Sequence, residues 1–251
     1  MSAYACDLHI HSCLSPCGDD EMTPYSIAGM AKLNGLAIAA LTDHNTCGNC
    51  ETFFTACEQY RIAPVAGMEL TTSEDVHLLC LFRTLADAKA FAALVDTRRI
   101  KIRNRPEIFG RQIRIGPDDE PVGEEEFLLV NATDLSLEEA ASQVAGFGGA
   151  AVPAHIDREA NGLLAVLGGL PERPDFPAVE YRGAGRICEL EQAYPKLAGK
   201  RRIVSSDAHR LEDIADPGYK IDLPCPADAD AQTIRNALID YLAENGSGGH
   251  E

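Results

Sequence analysis

Seven histidines stand at positions 9, 11, 44, 77, 155, 209 and 250. Most of them fall in short segments that also carry acids: DLHIHS at 7–12, LTDHN at 41–45 and SDAH at 206–209, with Glu69 inside GMEL at 67–70. Imidazole and carboxylate together are the ligand chemistry of zinc, manganese or iron. One histidine alone is usually an ordinary hydrogen-bonded or exposed residue, so spacing has to decide. His9 and His11 are two apart, as are Asp207 and His209, so on a strand each pair projects from one face. Two such pairs can converge on one metal centre. Asp43 and His44 are adjacent and project oppositely, which makes His44 the ligand and leaves Asp43 supporting it from behind. Glu69 at a strand end can bridge two metals. His155 ends a run of small residues, GGAAVPAH. His77 heads its predicted strand instead of ending it, so spacing supports it least.

The elements that must hold these residues alternate in type. Strands are predicted at 4–10, 36–43, 62–70, 76–82, 148–155, 178–181 and 201–209. Thr23-Pro24 opens a helix that runs to about Asn34, with Gly35 as its stop. Further helices are predicted at about 50–60, 84–101, 136–146 (with a Ser136/Glu139 capping box), 159–168, 185–198 and 229–245. Residues 106–130 break the pattern and read as a hairpin insertion around a Gly-Pro-Asp-Asp turn. Alternation predicts a parallel α/β fold, and about seven strands suit a barrel or an open sheet. A single domain is expected over 1–245, with a flexible tail over 246–251. Five of the six histidines outside that tail sit at or just past a strand's C-terminal end, the edge where parallel α/β folds build their sites.

Bulk composition narrows the partners. The formal charge is −17, from 22 basic and 39 acidic residues. Such a surface repels polyanions, so nucleic acid is disfavoured and a small phosphorylated molecule fits better. No apolar run reaches 18 residues and the first ten residues read as a strand, so neither a membrane span nor a signal peptide is expected. The expected location is cytoplasmic. The nine cysteines are then free thiols or ligands before they are disulfides. Cys47 and Cys50 form a CxxC after the TDH segment, and Cys17 lies in the loop after the first strand. A separate zinc or redox site and free thiols near the mouth both remain open for them.

In order, DLHIHS, LTDHN, GMEL, His77, His155 and SDAH resemble the PHP (polymerase and histidinol phosphatase) family over residues 7 to 209. The resemblance implies a distorted seven-stranded (β/α) barrel with two or three divalent ions (zinc, manganese or iron) in its mouth. It also implies hydrolysis of phosphoesters, commonly monoesters and sometimes nucleotides or DNA ends. Carried over by position, His9, His11, Glu69 and Asp207 would hold one ion. Glu69, His77 and His155 would hold a second, bridged by Glu69. His44 and His209 would hold a third with an acid from the first loop. Relatives often read HSxxSDG there, whereas this chain reads HSCLSPCGDDEMTP, which displaces the acid to Asp19 or Asp20; Asp19 is the choice made. Asp7 and Asp43 are expected behind the ligands. The segment from His155 to Arg158 resembles the histidine-plus-arginine segment of small-molecule PHP phosphatases, where Arg158 would clamp phosphate bidentately. Arg210 is a second candidate. No protein general acid or base stands out, and the expected nucleophile is metal-activated hydroxide. The expected function is hydrolysis of a small phosphomonoester, a nucleotide or a sugar or amino-alcohol phosphate. The alternatives are a nuclease or DNA-end phosphoesterase, a metal-dependent amidohydrolase, and a metal-binding regulatory domain without turnover.

Overall fold

A computed structural model describes residues 1–214 and 219–244; the expected tail at 246–251, with His250, lies outside the described residues. In chain order the elements are β1 (Ser2–Asp7), α1 (Pro24–Leu33), β2 (Ile38–Leu41), α2 (Cys50–Tyr60), β3 (Ala63–Thr71), β4 (His77–Phe82), α3 (Leu85–Arg98), α4 (Pro106–Phe109), β5 (Ile113–Ile115), β6 (Pro121–Glu124), α5 (Leu137–Gly146), β7 (Ala150–Pro153), α6 (Leu163–Leu167), β8 (Ala178–Tyr181), α7 (Ile187–Ala193), β9 (Arg201–Val204), β10 (Lys220–Leu223) and α8 (Ala231–Ala243).

Local chemistry sets many of these boundaries. Thr23 caps α1 by accepting from Ser26 N, and the Ser136/Glu139 capping box opens α5. The helix expected at 185–198 is interrupted: α7 ends at Ala193 and Pro195–Leu197 form a single 3-10 turn, because proline lacks the amide that would continue the ladder. The helix expected at 159–168 shortens to α6, since Asn161 sits at φ 60° before Gly162 caps the helix.

The main sheet is a curled half-barrel of six strands in the order β10-β1-β2-β3-β4-β7. It is mixed where the alternation predicted parallel strands: β1, β2 and β3 are parallel, but β4 is antiparallel to both β3 and β7, and β10 to β1. Residues 72–76 between β3 and β4 are too few for a crossover helix, so the chain turns straight back. Thr71, the last residue of β3, therefore faces His77, the first of β4. Strands β8 and β9 form a separate parallel pair, so the hydrogen-bonded array is not one continuous seven-stranded ring. The pair meets the sheet on two sides: Ile156 N, just past β7, donates to Glu180 O at 2.9 Å, and His11 N, just past β1, donates to Ala208 O at 3.0 Å.

Both faces of the sheet are covered, as its apolar strands require. Along β4, Leu78, Cys80 and Phe82 join one buried cluster with Phe53, Met68 and Phe91, while Leu79 and Leu81 join a second with Val65, Leu238 and Leu242. The hairpin insertion is present as β5 and β6, and it binds the first loop through Ile113 N to Cys13 O at 2.8 Å.

Candidate metal centre

Glu69 is the hub of the site. It lies near the end of β3, 1% exposed, and five imidazoles converge on its carboxylate. Its Oε1 is 2.7 Å from His77 Nδ1, 2.9 Å from His155 Nε2 and 3.4 Å from His9 Nε2. Its Oε2 is 3.1 Å from His44 Nδ1 and 3.5 Å from His11 Nε2. Asp207 Oδ1 stands 3.3 Å from the Nε2 atoms of both His9 and His11. His77 reaches this group because β4 runs antiparallel, which brings the head of that strand to the end of β3.

The tautomers follow from the partners. His209 Nδ1 is 2.7 Å from the Asp207 carbonyl, which can only accept, so the Nε2 lone pair is left for a cation. His9 Nδ1 meets Glu180 Oε2 at 2.9 Å. His11 Nδ1 meets Ser15 Oγ at 2.9 Å, and Ser15 donates its own proton to Asp43 Oδ1, so it accepts from His11. His9 and His11 thus turn Nε2 toward each other, 3.1 Å apart. Ligand atoms on a tetrahedral ion with bonds near 2.1 Å lie roughly 3.4 Å apart, which matches these separations. Asp207 Oδ1 and His44 Nδ1 are also buried without hydrogen-bond partners. The donor set fits divalent cations.

Electrostatics bear the same mark. Burial disfavours charge on His9, yet Glu180, Glu69 and Asp207 together hold its pKa well above 6.5. Burial would raise Glu69, but His77, His9 and His44 hold its carboxyl well below 4.5. Asp207 is likewise held below the usual carboxylate range, burial being outweighed by His9 and His11. Burial, reinforced by the neighbouring imidazoles, keeps His44 well below 6.5 and lowers His209 to about 4. Two site residues take left-handed backbone without being glycine, His155 at φ 25° and Asp207 at φ 53°. Such strain persists where the surroundings impose it, characteristically at functional sites.

Behind the ligands, Asp7 Oδ1 accepts from Ser206 N, and Asp43 accepts from Ser12 N, Ser12 Oγ and Ser15 Oγ. Both hold the loops that follow the ligand-bearing strands. Glu180 on β8 was missed by the sequence reading. It is 2% exposed and accepts from His155 N as well as contacting His9. Its only signal was a lone glutamate in the apolar run AVEY.

The third group departs from expectation. His11, His44 and His209 gather with Cys17, one ligand atom of each lying within 4.8 Å of the others. Asp19 stays outside: its Oδ1 accepts from Glu21 N, because the loop turns between the thiol and the acid. Burial and the negative charge of Glu69 push the Cys17 thiol up to about 12, a shift that a coordinated cation reverses. Cys47 and Cys50 are buried in a core, with Cys50 Sγ against the Leu41 and Gly67 carbonyls.

Arg158 Nη1 lies 3.1 Å from Asp207 Oδ2 at the rim, 40% of the arginine side chain being exposed. Arg210 is set apart, in a cleft with Asp19, Glu21 and Glu212. Two cavities open beside the cluster. One, about 340 Å³, is lined by His44, Glu69, His77 and Asn161; the other, about 230 Å³, by His155, Glu180 and Ser206; Arg158, Asp207 and His209 border both. A larger cavity of about 400 Å³ is lined by Tyr4, Phe54 and Arg235 and contains none of the ligand-type cluster.

Residues 7–134, just over half of the chain, match the family model of the PHP domain. No curated protein matches the sequence. Among solved structures, the lesion-specific endonuclease PfuEndoQ from Pyrococcus furiosus superposes with a TM-score of 0.61 at 18% identity, over 99% of this chain and 57% of that one. This chain therefore spans little more than half the length of that enzyme. An amidohydrolase from Chromobacterium violaceum, with sulfate bound and no metal, gives 0.52 at 20% identity, over 93% of this chain and 96% of that one. A protein described as a metal-dependent phosphoesterase, from Bifidobacterium adolescentis, gives 0.52 at 18%, over 93% and 95%. At these identities the likeness establishes the fold.

Proposed function

This chain belongs to the PHP domain family, and from that premise we propose that it is a metal-dependent hydrolase of small phosphate esters. The observation that carries the reading is the pairing of the Glu69 cluster with Arg158 at its rim. Arg158 contacts Asp207, itself 3.3 Å from His9 and His11, so a guanidinium stands beside the atoms that would hold the cations. Divalent ions at such a cluster lower the pKa of water toward neutrality and offset charge on phosphoryl oxygens.

The residues divide the remaining work. Glu69, kept ionised at neutral pH by its depressed pKa, would hold cations among the imidazoles that face it. Glu180 fixes the ring of His9 and so the direction of its lone pair. Arg158 is free to leave Asp207 and take two oxygens of a phosphate, in the fork geometry that suits guanidinium. The flanking cavities, about 340 and 230 Å³, suit a small ligand better than a polymer. A net charge of −17 argues the same way.

A screen for phosphate release over phosphomonoesters, with zinc or manganese added, tests the reading. A DNA duplex and a set of amides should be run in parallel. Release from at least one small monoester is expected, reduced by Arg158→Ala. Metal-loaded protein that cleaves only the DNA or only an amide would replace the proposal with that activity.

A further inference from the structure

We infer that Cys17 is a metal ligand, forming with His44 and His209 a thiolate-containing position beside Glu69 that selects zinc or another thiophilic divalent ion over manganese. The inference rests on the metal-centre reading and not on any substrate.

The Cys17 Sγ lies within 4.8 Å of one ring nitrogen from each of His11, His44 and His209. His11 Nε2 is already committed to the group of His9, Asp207 and Glu69. Three donors remain, and three protein ligands with an open place is the pattern of a reactive zinc position, not of a closed structural one. A second observation points to a cation. His44 Nδ1 is buried 3.1 Å from Glu69 Oε2, yet it makes no hydrogen bond to that carboxylate or to any other group. His209 spends Nδ1 on the Asp207 carbonyl, leaving Nε2 free.

The loop presents the thiol by construction. A Cβ on Gly18 would stand 2.4 Å from the Ser12 carbonyl oxygen, so only glycine lets the turn close behind Cys17. Asp19 N donates to the His209 carbonyl at 2.9 Å, fastening the loop to the opposite ligand. Both nearby acids are engaged elsewhere, Asp19 with Glu21 N and Asp20 with Arg111 at 3.2 Å. Sulfur thus takes the place in which a carboxylate would favour manganese.

Cobalt(II) titration of the demetallated full chain, followed by absorption, tests this. A near-ultraviolet sulfur-to-cobalt charge-transfer band is expected in the wild type. Cys17→Ser should remove it and lower bound cobalt by one per chain, while the visible bands of the remaining cobalt persist. Cys47→Ser should keep the band. Cys17→Asp should restore the stoichiometry without the band and favour manganese. A band that survives Cys17→Ser, or unchanged stoichiometry in that variant, overturns the inference. Wild-type protein that binds cobalt without the band overturns it while leaving the metal centre standing; protein that binds none overturns both.

Discussion

The two halves of the metal centre are built differently. Around Glu69, the ligands come from β3, the head of β4 and the segments that continue β1 and β7, and His9, His11, Glu69 and His155 are all at most 1% exposed. Around Cys17, one ligand rides a loop and is exposed, and the side chain of His209 is 27% exposed. Burying charged and polar groups is costly unless they satisfy one another, and the first half does much of this itself, through Glu180, Ser15 and the shared carboxylate, leaving Asp207 Oδ1, Glu180 Oε1 and His155 Nδ1 without hydrogen-bond partners. That half is a fixed scaffold. The Cys17 half is an appendage whose chemistry can change with one loop residue.

The sharpest way to break this contrast is Glu69→Gln. Because five imidazoles address that carboxylate, metal content should fall across the strand-borne half and turnover should drop on the order of 10³-fold. If turnover survived while Cys17→Ser abolished it, the roles of scaffold and appendage would be reversed. Next comes Glu180→Gln, which leaves every ligand in place but frees the ring of His9. Metal affinity, read by competition with a chelator, should weaken about 10- to 100-fold. No change would mean that the strand alone orients His9. Arg158→Ala should leave metal content intact and raise KM about tenfold, a half-exposed charge-assisted contact being worth less than a buried one.

The smallest effect is on pH dependence. The raised pKa of His9 means that its contribution to metal-free stability is fully present below about 6.5 and is lost as pH rises through the folded value. Metal binding requires the deprotonated ring, so affinity should tighten by at most about tenfold per pH unit as pH rises through that value, with protons released. Glu69 and Asp207 have the opposite sign: their contributions are present above their unfolded values, 4.5 and 3.8, and are lost as pH falls further. Thermal melts of demetallated protein across pH, paired with zinc titrations, check both signs. Metal affinity flat with pH would place the titrating groups outside the scaffold.

Residue type and placement made much of the scaffold readable. His9 and His11, Asp207 and His209, and Glu69 were visible by type and by closeness to strand ends, but not for the reason of a common strand face: the first pair lies past β1 and the second past β9, with Asp207 in left-handed backbone. His77 was visible by type but not by position, since the direction of β4 depends on the length of the turn before it. Glu180 carried no spacing signal at all. Its role arises only when β8 docks beside the His9 segment, a long-range event. The choice for the third position lay between Asp19 and Asp20, and Cys17 was not weighed for it, because charge is legible in a loop and backbone course is not. The parallel sheet was expected from alternation, yet the short turn between β3 and β4 and the return of β10 alongside β1 sufficed to mix it.

Metal analysis of the purified chain, by mass spectrometry beside Glu69→Gln, tests the central claim most directly. The account predicts two or three divalent ions per wild-type chain, and a marked loss in the variant with an unchanged circular dichroism spectrum. Wild-type protein without stoichiometric metal after supplementation, or a variant that keeps the full complement, would contradict it.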